Sequence, residues 1–300
     1  MKMNIFEILG FILRHPFAKR NRFKSCLNFI RWQIGVRIIR KKILIPWIDN
    51  AILVVGKGDI GLTGNLYTGL LEFEDMSFLL HGLRETEIFL DVGANAGAYT
   101  ILASKVVRAR TIAFEPIHST FNKSIDQVNV NDIRELVTTY NMGVGAEVGE
   151  LAFTNQGDTL NKVSFDSQFS CTEMIKVTTL DECADPSLSY FLKIDVEGFE
   201  YYVIMGAEKL LLSQNVLAII IELNDNCHEF GFSNDQIHEK IVSYGYVPIE
   251  YQPEKRSINR LDYYNKTNLN TIYVRDTVEM ARRCASSQAR VIQTPFMAKI

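Results

Sequence analysis

The chain has 300 residues, 47% of them hydrophobic, enough for one large α/β domain with an extension. Its five cysteines are odd in number and include no C-x-x-C pair, which argues against a disulfide scaffold or a zinc ribbon and suits a reducing cytoplasm. The net charge of −3 conceals an asymmetry: residues 1–42 carry eleven Lys or Arg against Glu7 alone, so +10 stands in front of −13.

The chain opens MKMNIFEILGFILRHPF, which resembles a signal peptide only superficially. Its apolar run is interrupted by Glu7 and no small-residue cleavage site follows, so it is expected to be retained and not to span a membrane. Behind it Leu27, Ile30, Ile34 and Ile38 fall at helical spacing, among bases and Phe11, Phe17, Phe23, Phe29 and Trp32. Such a leader suits either the inner face of an anionic membrane, as a peripheral contact, or helices docked on the domain's own surface. Residues 1–62 are read as this basic extension, helical and then a β-hairpin, with 63–276 as the main domain and 277–300 as a tail. The acidic remainder speaks against nucleic acid as a partner.

From residue 85 onward, short apolar runs alternate with helix-like segments. The runs at 88–91, 111–115, 136–142, 190–195, 216–224, 245–251 and 270–275 suit a buried sheet, and 98–108, 119–129, 199–213 and 235–244 suit helices. A polar loop occupies 252–269. The alternation predicts an α/β, Rossmann-like, doubly wound and mostly parallel seven-stranded sheet, with ligands at the carboxyl ends of its strands.

Two glycine loops compete for a ligand. GKGDIG at 56–61 fits G-x-G-x-x-G literally, but the following LTGNLYTG carries Gly64 and Gly69 and opens a helix poorly. It is expected to be a hairpin or bulge turn. DVGANAGAYT leaves a strand at Asp91 and enters a convincing helix. Gly93 and Gly97 allow close approach to the backbone, and Asn95 tolerates a left-handed conformation. Glu115 ends the next strand, where a carboxylate can take two hydrogen bonds from ribose hydroxyls.

The spacing D-x-G-x-N-x-G resembles motif I of class I S-adenosylmethionine-dependent methyltransferases. Together DVGAN, FEP, TLDE (179–182), KIDVEGFE and MGAEKLL resemble, in this order, the FkbM family of such enzymes over roughly residues 65–275. The resemblance implies the class I methyltransferase fold, S-adenosyl-L-methionine as cofactor, and O-methylation of natural products or polysaccharide sugars. The upstream FIRWQIG and GNLYTGLLEFEDMSFLLHGL resemble the leader of members found with bacterial surface-polysaccharide genes. It also implies that Asp91 lies near the cofactor's ammonium group, and that Glu72, with Glu74, folds over the site. Asn141, at the third strand's end, is a candidate adenine contact.

Displacing a methyl group from a sulfonium needs a base for the acceptor hydroxyl. Asp195 is the first candidate, with Glu197 and Glu200 able to raise a carboxyl pKa and Lys193 to neutralise the cluster or act as a base. The plainer reading is that Asp195 caps the following helix. No motif fixes a metal site, although Asp195, Glu222 and Asp225 offer oxygens to Mg²⁺ as a secondary expectation. Tyr67, Tyr99, Tyr263 and Tyr264 are candidates to stack on a sugar. Two alternatives stand beside the methyltransferase: an NAD(P)-dependent sugar oxidoreductase, and a non-catalytic peripheral-membrane scaffold.

Overall fold

Runs such as Tyr190–Ile194, in which every residue is buried, need cover on both faces of a sheet. The computed structural model, which describes residues 5–39, 41–154 and 172–300, gives them that cover. Its central sheet contains β1 (Ile88–Val92), β2 (Arg110–Phe114), β3 (Val137–Tyr140), β4 (Tyr190–Ile194), β5 (Val216–Glu222), β6 (Val247–Gln252), β7 (Ser257–Arg260) and β8 (Asn270–Val274). Their order is β7-β6-β8-β5-β4-β1-β2-β3. β1 to β5 are parallel neighbours, β8 runs antiparallel between β5 and β6, and β7 closes the edge antiparallel to β6. The order reverses between β1 and β4, which opens a crevice at their carboxyl ends.

The expected seven strands are therefore eight and the sheet is mixed. The additional one, β7, lies inside the 252–269 stretch expected to be loop. Its four residues, SINR, are only partly buried, without apolar alternation. A short, charged edge strand leaves little pattern in a sequence because its outer rim faces water.

The helix expected at 199–213 is two, Glu200–Met205 and Glu208–Leu212. Gly206 presses against the Gly145 carbonyl, where an added Cβ would stand 1.9 Å from the oxygen. Asp181 then accepts the Lys209 and Leu210 N–H groups at 3.0 and 2.9 Å and starts the second helix. The TLDE motif thus acts as two caps, since Thr179 also accepts the Glu182 N–H. A small sheet of Gly143–Val144, Thr172–Thr178 and Gly149–Thr154 was not expected from its polar sequence.

The leader folds as helices Ile5–Arg14 and Arg22–Ile39 and a hairpin of Ile43–Pro46 with Ile52–Val55. Ile12, Phe17, Phe29, Trp32 and Trp47 join one core cluster with Phe78, Phe89 and Phe191. Each such side chain contributes about 1.5–3 kcal/mol of burial, so this segment is part of the domain's core. The C-terminal residues hold it in place: Phe296 stacks on Phe17 at 4.9 Å and Gln293 N–H donates to the Trp47 carbonyl at 2.7 Å.

Candidate active site

At the end of β1 the chain passes Asp91 and turns through Gly93, Asn95 and Gly97, with φ of 79°, 49° and 86°. Left-handed backbone at these positions lets the strand reverse into the helix at Ala98. At Gly93 the need is also steric, because a Cβ there would lie 1.8 Å from the Asp195 backbone oxygen. The glycine brings the β1 turn into contact with the β4 turn.

Thr100 donates to Asp91 Oδ2 at 2.6 Å, and burial pushes the Asp91 carboxyl up to about 6 although Lys193 pulls it down. Glu115 accepts the Ile117 N–H on Oε1 and the Asn95 N–H on Oε2, both at 2.9 Å. A carboxylate has about four acceptor positions, so capacity remains for a ribose diol. Burial pushes Glu115 up to about 7 against the pull of those two N–H groups. The donor and acceptor set fits S-adenosylmethionine: acids for its ammonium and ribose, and an open backbone turn between them.

Lys193 lies beside Asp91 in the β1–β4 ladder and is 3% exposed. Its Nζ donates to Asp195 Oδ2 at 2.7 Å and lies 4.8 Å from the Tyr99 ring centroid. Burial works against its charge, but Asp195, Glu72 and Asp91 outweigh that and raise its pKa. These surroundings favour the ammonium form, and of the two roles expected of Lys193 they suit neutralising the cluster.

Asp195 does not cap the next helix, whose start has no side-chain cap. Glu200, expected in the acid cluster, accepts the Val196 and Gly198 N–H groups, both at 3.1 Å, and so shapes the turn. Glu197 sits at φ 54° and accepts from Asn226 Nδ2 at 3.1 Å. A non-glycine residue in that region costs about 1–3 kcal/mol, a strain that recurs where a side chain must be aimed.

Oxygens of Asp195, Glu197 and Glu222 lie within 4.8 Å of one another. Asp225, expected with them, instead faces water beside His228, so the anticipated Mg²⁺ set is corrected. Among the described residues nothing beyond these acids points to an ion. Like charges at about 4 Å cost about 4 kcal/mol each at an effective dielectric of 20, so a proton is retained. Burial, then Asp195 and Glu197, push Glu222 up to about 9. Asn224 Nδ2 donates to it at 2.7 Å.

Glu72 reaches this centre from the upstream segment. It accepts from the Tyr99 hydroxyl, feels Lys193 and Asp195, and is raised by burial. Asp75 and Asn270 were missed: Asn270 pairs with Glu222 across β5 and β8 and donates to Asp75 Oδ2 at 3.0 Å. Asp75 is pushed up to about 7 by burial. Glu74 lines a cleft of about 380 Å³ with Asp75, Glu250, Gln252, Asn268 and Asn270. A second cleft of about 320 Å³, lined by Asn224, Asp225, Tyr264 and Lys266, opens beside the end of β5.

Asn141 donates to the Glu115 and Pro116 carbonyls at 2.9 and 2.8 Å and meets His118 Nδ1 at 3.1 Å, which fixes the β2 turn. Tyr67 is core, against Phe29. Tyr263 donates to Asp235 at 2.6 Å.

GKGDIG does open a helix, Ile60–Thr68, which corrects the expected turn. Asp59 fills its mouth, accepting the Gly56 N–H at 2.6 Å and pairing with Lys123 at 3.1 Å. A carboxylate at that point repels a pyrophosphate, so the loop still suits a dinucleotide poorly.

A family model described as the methyltransferase FkbM domain matches residues 91–248. The hexuronic acid methyltransferase AglP of Haloferax volcanii is 27% identical over 156 residues, 51% of this chain. The match spans 62% of that relative, less than two thirds of its length. Among solved structures, the precorrin-6y C5,15-methyltransferase of Geobacter metallireducens GS-15 is 14% identical, with a TM-score of 0.38 over 68% of this chain and 88% of that one. An RNA methyltransferase from Salinibacter ruber in complex with S-adenosyl-L-homocysteine is 18% identical, with a TM-score of 0.28 over 50% and 73%.

Proposed function

The chain belongs to the FkbM methyltransferase family, and from that premise we propose that it methylates a hydroxyl of a sugar or glycan intermediate using S-adenosyl-L-methionine. The observation that carries this reading is Asp195, held by Lys193 at 2.7 Å, in backbone contact with the Gly93 turn and grouped with Glu197 and Glu222. Bound S-adenosylmethionine supplies an electrophilic methyl group on a sulfonium. Asp91 receives the ammonium, Glu115 the ribose hydroxyls, and the 93–97 backbone the chain between them.

Lys193 orients Asp195 through their ion pair, and Asp195 accepts the proton of the acceptor hydroxyl. Burial and its acidic neighbours hold Glu222 protonated at neutral pH. The charge balance favours a hydroxyl over a carboxylate acceptor. A carboxylate needs no base, and would bring another anion beside three acids. The name of the Haloferax relative, a hexuronic acid methyltransferase, supports a sugar.

The test is transfer of labelled methyl from S-adenosylmethionine to hexose and hexuronate glycans, followed by mild alkali. An ether survives; an alkali-labile ester would overturn the hydroxyl assignment. Glu115→Gln is expected to weaken S-adenosylhomocysteine about 100-fold by calorimetry, since two charge-assisted bonds to ribose are lost.

The pH profile gives a separate check. Glu222 loses its proton as pH rises through about 9, adding an anion that strengthens the base cluster. A rise in kcat/KM with an inflection near that pH is expected, and Glu222→Gln should flatten it. An unchanged profile in the variant would remove Glu222 from the proton path.

A further inference from the structure

The helix Arg22–Ile39 has two apolar faces on opposite sides. Ser25, Phe29, Trp32 and Val36 turn inward and are buried. Phe23, Ile30, Ile34 and Ile38 stand 77%, 49%, 56% and 74% exposed. At about 100° per residue, these four fall within an arc of roughly 80°, centred opposite the buried face. The stripe legible in the sequence is thus the outward one, and the core is built from the other side.

Single exposed isoleucines are ordinary, but a continuous stripe two turns long marks a surface that meets something. Its flanks say what. Arg37 borders one edge and Lys24 and Arg31 the other, all exposed. Two copies joined through the stripe would set these bases beside their like. An anionic lipid surface would neutralise them while its acyl boundary takes the isoleucines. The leader's +10 against the −13 of the remainder would orient the molecule in the same sense.

We propose that this face docks the protein on an anionic lipid surface, with the helix Arg22–Ile39 lying in the plane of the interface. The docking is peripheral: among the described residues no helix is long and apolar enough to cross a membrane. The proposal stands apart from the reaction, since none of these side chains belongs to the acid cluster.

Deleting the leader cannot test it, because the inward face is core. The test uses the full chain with vesicles of phosphatidylcholine, alone or mixed with phosphatidylglycerol. Sedimentation with the mixed vesicles, but not with the neutral ones, is expected, and should weaken in high salt. Ile30→Ser, Ile34→Ser and Ile38→Ser together should lower partitioning at least about tenfold. Arg31→Glu with Arg37→Glu should lower it at least about thirtyfold. Both variants should keep the wild-type Tm and S-adenosylhomocysteine affinity, as the replaced side chains face water. A chain that stays in the supernatant, or a triple serine variant that sediments like wild type, would overturn the proposal. So would a solution dimer, seen by light scattering, that the triple variant dissolves, because the stripe would then serve a second copy.

Discussion

Replacing Asp195 with asparagine is expected to lower kcat by about 10²- to 10⁴-fold, the usual contribution of a positioned general base. Asparagine keeps the shape and an oxygen for Lys193 Nζ, which lies 2.7 Å from the carboxylate in the wild type. Glu72 and Asp91 still face the ammonium, so the lysine keeps its charge. Affinity for S-adenosylhomocysteine should therefore change little, and the loss should fall on kcat. Near-wild-type kcat would transfer the role of base to Glu222 or Glu197. A parallel loss of affinity and Tm would mean instead that Asp195 mainly organises the turn.

Gly93→Ala should damage stability and the cofactor site together. An added Cβ would stand 1.8 Å from the Asp195 backbone oxygen, and φ is 79°. The left-handed conformation costs an alanine about 1–2 kcal/mol. Forcing the two turns apart adds about 1–3 kcal/mol, as for overpacking in a dense interior. A loss of about 2–5 kcal/mol in urea unfolding is expected, with S-adenosylhomocysteine affinity lowered because the 93–97 turn and Asp195 move. Gly97→Ala is the control: its Cβ would meet Ser124 Cβ at 3.3 Å, so only the backbone penalty and a small adjustment apply. Equal effects from the two alanines would show that contact between the turns is not what Gly93 serves.

The parts of the fold that the sequence showed are those with unambiguous hydrophobic period. Buried runs such as FLDV, TIAF and YFLKI have no alternation to misread, and became β1, β2 and β4. The turn DVGANAG was legible because its glycines and asparagine answer to backbone conformations, which are local. What failed depended on neighbours distant in sequence. Helix Ile60–Thr68 forms despite Gly61 and Gly64, and Gly64 lies so close to Leu71 that a Cβ would stand 2.4 Å from it. Tertiary packing there overrides a poor propensity. Asp75 and Asn270 are 195 residues apart, and no pattern along the chain announces that they meet. Glu222 was visible as a strand-end acid, but its raised pKa comes from burial and then from Asp195 and Glu197, which only folding brings beside it. The stripe of Ile30, Ile34 and Ile38 was visible too; which way it faced was settled by Phe29 and Trp32 on the other side.

The most direct measurement is calorimetric titration of the wild-type protein with S-adenosylhomocysteine and, separately, with NADH. Asp91 and Glu115, at the ends of adjacent strands, should give micromolar binding of the former, abolished in Glu115→Ala, and no heat with the latter. Binding of NADH alone, or of neither ligand, would contradict a methyl-transfer site at the 91–97 turn.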